Sequence, residues 1–265
     1  VRPRHSSRSS RAAVRAAGGA LLIALAAAGC ATAPPARQPI GSDARGVLDL
    51  LAQRRHAFSD LRTLAELTIR RGDRLQRFVG VLLLRAPSSL RFEALSPFGT
   101  PVLVVAADPK TFTLWEVADE RAYLAPATPD ANRRWLGLAL SGDDLVALLA
   151  GRVAPLADPL AAELLAADGI GPSLRLTGPD GTQRIWFDPA TGQARLVEWT
   201  GGQNPARVTF ADGAPEAPPA GLSMALLDGS LDVLIRYKDP RMNTGFDPAL
   251  LTLTVPEGVK IQDFR

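Results

Sequence analysis

The feature that most narrows the fold of this chain is the period of its apolar residues, which is two over most of its length. Leu61, Thr63, Ala65, Leu67 and Ile69 alternate with Arg62, Glu66, Thr68 and Arg70, and Leu90, Phe92 and Ala94 alternate with Arg91 and Glu93. Successive side chains of a strand leave on opposite faces, so such a period marks half-buried β-strands. Gly72-Asp73, Ser96-Pro97-Phe98-Gly99 and Asp108-Pro109 break the pattern at short intervals, as turns do. Residues 61–124 are therefore predicted to form a meander of about six antiparallel strands. Strands resume near Leu174 and continue through Arg184–Phe187, Ala194–Trp199, Ala206–Phe210, Leu222–Leu227 and Leu231–Tyr237. The last two form a hairpin around Asp228-Gly229, and the tail runs through Leu251–Val255 and Pro256-Glu257-Gly258-Val259.

Helical periods interrupt the strands. Ser42 is placed to cap a helix running to about Phe58, with Val47, Leu50, Leu51 and Phe58 on one face. A second helical stretch, Asn132 to Leu140, holds Trp135 and Leu136. A third follows Ser141-Gly142-Asp143-Asp144, which resembles a capping box with Asp in place of Glu, and ends at Gly151. Asp158-Pro159 is placed to start a further short helix with Leu160, Leu164 and Leu165. Strands, helices and strands again make an α+β fold. About 11–12 strands in one antiparallel sheet must curl. Several strands are apolar on both faces: Phe78, Leu82 and Leu84 oppose Val79, Val81 and Leu83. One face is then the inside of the curl, and the helices cover what remains.

The first 30 residues have another character. Arg2, Arg4, Arg8, Arg11 and Arg15 carry no accompanying acid, and the apolar run Ala16–Ala28 ends at Ala27-Ala28-Gly29-Cys30. That run is too short for a secure membrane span, which takes about 20 residues. Small residues before the chain's single cysteine look like a lipobox, so residues 1–29 read as a lipoprotein signal peptide and Cys30 as the lipidated residue. Ala31, rather than Asp, points to the outer membrane under the familiar Gram-negative sorting rule. Thr32 to Ile40 contains three prolines and reads as a tether, so residues 30–41 link the lipid to one domain over residues 42–265.

These observations exclude several functions. The formal charge of +3 comes from the leader arginines, so nothing supports nucleic-acid binding. One cysteine forms no intramolecular disulfide and no cysteine-rich metal site. Of two histidines, His5 lies in the leader and His56 near a helix end, which leaves no evident base for a nucleophile. Ser141 follows Ala139-Leu140 and is no Gly-x-Ser-x-Gly elbow. Asp119-Glu120 and Asp143-Asp144 lie in a turn and at a helix start, where solvent and the helix dipole account for them. An enzyme is not expected, nor a cofactor beyond the diacylglycerol and N-acyl chain on Cys30.

Five short stretches carry a resemblance to the LolA/LolB superfamily of lipoprotein carriers and receptors. Leu95-Ser96-Pro97-Phe98-Gly99-Thr100-Pro101, followed by two strands, is similar to the Pro-Leu-Gly loop region of LolB. Trp135-Leu136-Gly137-Leu138 with Leu145 to Gly151 is similar to the helical segment after it. Trp186-Phe187-Asp188-Pro189-Ala190-Thr191-Gly192 and Val255-Pro256-Glu257-Gly258-Val259 resemble LolA and its relatives. The resemblance implies an open, curled half-barrel whose concave face, closed by helices, receives acyl chains. It also implies that Pro97, Phe98 and Gly99 form a membrane-contact loop with Phe98 at the tip.

An acyl site needs apolar walls and few polar groups. Candidates for the wall are Phe92, Trp115, Trp135, Leu136, Leu145, Leu149, Trp186 and Trp199; for each tryptophan core packing is the plainer reading. The expected partners are membrane lipid, the acyl chains of lipoproteins or lipids, and a soluble periplasmic carrier as donor; the protein is expected to be a monomer. The rival expectation is a structural or envelope-assembly lipoprotein of the same fold without cargo.

Overall fold

The computed structural model describes residues 37–136, 139–202, 205–213 and 217–263, with backbone alone for Trp135 and Leu136. Cys30 and the leader lie outside the described residues. Helix α1 (Ser42–His56) precedes a six-strand meander: β1 (Asp60–Arg71), β2 (Arg74–Arg85), β3 (Ser89–Leu95), β4 (Pro101–Ala107), β5 (Thr111–Glu116) and β6 (Arg121–Pro126). Helices α2 (Pro129–Leu136) and α3 (Gly142–Leu149) follow. A second meander runs through β7 (Ala161–Leu165), β8 (Ser173–Thr177), β9 (Gly181–Phe187), β10 (Ala194–Gly201), β11 (Ala206–Phe210), β12 (Gly221–Leu226) and β13 (Asp232–Met242). A 3-10 turn (Pro248–Leu251) and β14 (Lys260–Asp263) complete the described chain.

All fourteen described strands join one sheet in the order β14-β6-β5-β4-β3-β2-β1-β13-β12-β11-β10-β9-β8-β7. The two meanders meet where β1 pairs with β13. Neighbours are antiparallel except β14 and β6, which are parallel. The sheet does not close: β7 and β14 are its two edges among the described residues. It is strongly curled all the same. Phe112 on β5 and Leu222 on β12 wall one cavity, although six strand spacings would separate them by roughly 29 Å in a flat sheet. The fold is thus the open, curled α+β sheet expected from the sequence.

Small residues sit where the curl brings backbones together. Ala65, Gly80 and Ala94 lie side by side on β1, β2 and β3. A Cβ on Gly80 would collide with the carbonyl oxygen of Glu93. Glycine inside a strand marks such a close approach or a bend.

Helices occupy the inner face at one end. Ser141 Oγ accepts from Asp144 N–H at 3.1 Å and starts α3, with Asp143 and Asp144 in its first turn. Gly151, at φ +71°, takes the left-handed conformation that follows its end. Arg55 Nη1 donates to Asp144 Oδ1 at 2.8 Å and ties α1 to α3. Tyr237 donates from its hydroxyl to the Leu149 carbonyl at 2.7 Å, and burial pushes its phenol above the ordinary range. Two apolar cores result. One packs Leu51 of α1 and Leu148 of α3 on β8–β12; the other packs Val146 and Ala150 on β1–β3 and Tyr237.

Three local expectations are corrected. Residues from Asp158 do not start a helix: Ala161–Leu165 is strand β7, paired to β8. The leucines at 160, 164 and 165 fit a helical spacing, but here Leu164 faces Leu174 across an edge of the sheet. Ser42 does not cap α1; Gly41 occupies the cap position and the Ser42 hydroxyl bonds Asp43 instead. The helix ends at His56, and Phe58 lies beyond it as a buried core residue.

Candidate functional site

The inner face of the first meander, together with β12, β13 and α3, surrounds an apolar cavity of about 270 Å³. Its wall follows from strand parity. On β1, Ala65, Leu67, Ile69 and Arg71 point inward; Phe78 and Leu82 do so on β2, and Leu90 and Phe92 on β3. Leu103 and Val105 of β4 and Phe112 and Leu114 of β5 continue the wall, and Met224, Val233 and Ile235 close it from β12 and β13. Leu145, Leu148 and Leu149 of α3 lie across it. Among the described residues, Arg71 is the only charged one on the lining.

The cavity can do little chemistry. A wall whose side chains, Arg71 apart, carry no donors or acceptors suits a hydrocarbon. A methylene group takes about as much room as the ~30 Å³ of a liquid water, so the space holds roughly nine of them. Among the described residues no group of three His, Cys, Asp or Glu side chains could hold a metal ion.

Chain direction sets the cavity's orientation. Strand β1 ends, and β2 begins, at the Gly72-Asp73 turn, with Arg71 opposite Arg74. The β3–β4, β5–β6 and β12–β13 turns lie at this same end of the sheet, because each strand runs antiparallel to its neighbour. Helix α3 starts at the other end, where Gly142 lies against Ser88 of the β2–β3 turn.

Phe98 occupies the tip of the β3–β4 turn and is 93% exposed. The turn holds it out firmly. Ser96 N–H donates to the Thr100 carbonyl at 2.7 Å, Gly99 N–H donates to the Ser96 carbonyl at 2.9 Å, and the Ser96 and Thr100 hydroxyls are 2.7 Å apart. Gly99 has φ +80°, a conformation glycine accepts without strain. Pro97 and Gly99 therefore flank an aromatic ring that touches almost nothing of its own chain.

The other residues singled out from the sequence divide. Phe92, Leu145 and Leu149 line the cavity. Trp115, Trp186 and Trp199 do not. On β5 the inward positions belong to Phe112 and Leu114, so Trp115 leaves on the outer face. Trp186 neighbours the inward Ile185 and also leaves outward, where its Nε1 donates to both oxygens of Asp168 at 3.1 and 3.0 Å. The Arg184 guanidinium stacks over its ring at 4.1 Å. Trp199 faces inward but in the second meander, beside Leu140, Leu156 and Gln183. Gln183 is buried there and binds the Leu156 N–H and the Ala154 carbonyl. The side chains of Trp135 and Leu136 lie outside the described residues. Sequence reasoning did not single out Leu67, Ile69 and Arg71, though their alternation with Thr68 and Arg70 marks one shared face.

No family model matches the sequence, and no curated protein matches it significantly. Solved structures do match its fold. A Vibrio parahaemolyticus domain described as an outer membrane lipoprotein-sorting protein aligns with TM-score 0.53 and 14% identity, covering 78% of this chain and 97% of that one. A DUF1329-family protein of Desulfovibrio piger aligns with TM-score 0.52 and 11% identity, over 79% and 97% of the two chains. A LolA-superfamily protein of Nitrosomonas europaea aligns with TM-score 0.50 and 12% identity, over the same shares. Curled sheet, helical cover and apolar cavity together are the fold that this chain shares with these three structures.

Proposed function

We propose that this protein is an exported lipoprotein, held at the outer membrane through Cys30, that receives acyl chains in its cavity and takes part in lipoprotein or lipid transfer. The observation that carries the reading is the cavity wall, apolar throughout except for Arg71. Hydrocarbon is the cargo for which such a wall is selective, since it needs no hydrogen bond. Lipoprotein sorting, named for the Vibrio domain of the same fold, is in keeping with it. Transfer of this kind needs no side-chain catalysis. A chain leaves the cavity for the bilayer because both are apolar and the bilayer holds it more tightly.

Two or three acyl chains on Cys30 would anchor the protein, at about 0.8 kcal/mol per buried methylene. Phe98 then serves as the point of contact with lipid. Its burial returns about 1.5–3 kcal/mol, which favours contact by a tethered protein without holding it in place. The donor is a soluble carrier or a second membrane.

The test is transfer of a fluorescent fatty acid or an acylated peptide from the full-length lipidated protein to acceptor vesicles. Phe98→Glu should leave uptake intact and slow delivery by roughly tenfold, the equivalent of about 1.4 kcal/mol. Failure of the native protein to take up either probe would sink the carrier reading and leave an envelope-assembly role without cargo. Mass spectrometry of apolar molecules accompanying the native protein gives the independent check.

A further inference from the structure

Residues 70–77 are the free end of the β1–β2 hairpin, and every one of them is exposed. The pairing of β2 with β3 begins only at Gly80, so residues 74–79 pair with β1 alone among the described strands. The hairpin thus runs roughly 20 Å past the last β2–β3 pair as a two-stranded ribbon. It carries Arg70, Arg71, Arg74 and Arg77 against one acid, Asp73. Asp232 of β13 stands opposite Arg70, and with both acids counted the charge is still +2. Two further features share this end of the sheet. Phe98 is the exposed tip of the neighbouring β3–β4 turn. The described chain also starts here: Gln38 N–H donates to the Leu160 carbonyl at 2.7 Å. Leu160 precedes β7, which starts at the ribbon's end because direction alternates strand by strand from β1 to β7. Seven residues of chain separate Cys30 from Arg37, a reach of at most about 25 Å.

From this placement we infer that the β1–β2 ribbon is a membrane-contact element in its own right and that it selects an anionic bilayer surface. Basic side chains near such a surface are drawn to it by their summed charge, over about a Debye length. The attraction does not require any one arginine to be without a partner in the protein. Guanidinium groups that reach the surface bind lipid phosphates. Leu75, 44% exposed within the ribbon, adds apolar contact beside that of Phe98. The inference rests on Cys30 as the anchor and is independent of any cargo. An anchored Cys30 keeps this end within reach of the bilayer, and charge complementarity then orients it. Charge along a free strand also discourages pairing with another chain. That use alone gives no response to the charge of the lipid.

The test uses full-length lipidated protein in nanodiscs of phosphatidylcholine, alone or with added phosphatidylglycerol. A fluorophore on Leu75→Cys reports contact through a quencher carried by the lipid. The same fluorophore on Ala190→Cys, in the β9–β10 turn at the opposite end of the sheet, is the control. Quenching at position 75 should be about tenfold stronger in the anionic disc. Position 190 should stay at background in both. Arg74→Gln with Arg77→Gln should remove most of the difference. So should about 1 M salt, which shortens screening to about 3 Å and needs no substitution. Equal quenching in the two discs overturns the inference, as does a difference that survives both the double variant and salt. Quenching at position 190 as strong as at position 75 overturns it too. A position-75 probe that stays in water on both discs also overturns it, and leaves the arginines to an acidic protein surface. Uptake of a fluorescent fatty acid is measured on the same discs. Its absence sinks the carrier reading and leaves the ribbon's contact standing.

Discussion

Trp186 shows how little a residue type says about its place. Its size and apolar ring fit a lipid cavity, yet it leaves β9 on the outer face and binds Asp168. What determines its side is parity with Ile185, a buried core residue. The hydrogen bond from Trp186, followed by the Ile170 N–H and then Gly171 and Arg184, lowers the Asp168 carboxyl from 3.8 to about 2. A carboxylate with a lowered folded value stabilises above its unfolded value and loses that contribution as pH falls through the folded one. Thermal unfolding should therefore show stability lost between about pH 4 and pH 2. Asp168→Asn should weaken that dependence. An unchanged pH profile in the variant would show that the contact contributes nothing. Phe98 is the opposite case. Pro97 and Gly99 beside it are turn residues, so the exposed turn was legible from two neighbours, while the outward direction of the ring, rather than a fold back onto the end of the sheet, came from the structure; for Trp186 no neighbour announced the face.

Strands carry the next level of information. β2 reads from the sequence as apolar on both faces, and the structure gives each face its own use. Phe78 and Leu82 line the cavity, while Leu83 is buried on the outside. Gly80 sits between them with the Glu93 backbone against it. Gly80→Val should destabilise the fold by about 1–3 kcal/mol through overpacking, measured as a lower urea midpoint with an unchanged slope. A neutral result would mean that β2 and β3 can separate locally and that the small-residue row does not set the curl. The stretch after Asp158 was misread for a related reason. Its leucine spacing is compatible with a helix, and a strand of five residues is too short to show its own period. Pairing with β8, contributed from elsewhere in the chain, decides the matter.

The molecule as a whole adds a feature that no local pattern contains. After β13 the chain crosses the outer face of the first meander. Arg91, on the outer side of β3, donates to the Thr252 carbonyl at 2.6 Å, and the Arg85 guanidinium of β2 lies 6.0 Å from the Phe246 ring. The chain then joins β6 as the parallel strand β14. The start of this crossing is pinned: Asp60 accepts from the Gly245 N–H, and Asn243 binds both Ser59 and Ala57. On the outer face Leu83, Val104 and Ala106 are buried. Ending the chain after Asp247 should expose them and cost about 3 kcal/mol or more, at about 1.5–3 kcal/mol per large apolar side chain. Denaturant unfolding of the truncated protein checks this; full stability would mean that the tail merely rests on the sheet.

Most strands, the helix ends at Ser141 and Gly151, the two-residue hairpin at Gly72-Asp73 and the exposed turn at Phe98 were determined by the sequence alone. Each follows from local terms: the period of apolar residues, a capping hydroxyl, or a glycine that tolerates positive φ. The tertiary structure alone decided that β1 meets β13, that β7 is a strand, that the tail covers the outer face, and that Leu67, Ile69 and Arg71 share a cavity with Leu149. Those outcomes depend on contacts between residues far apart in the chain. Parity states which side chains share a face, but only the curl of the sheet determines which face encloses space.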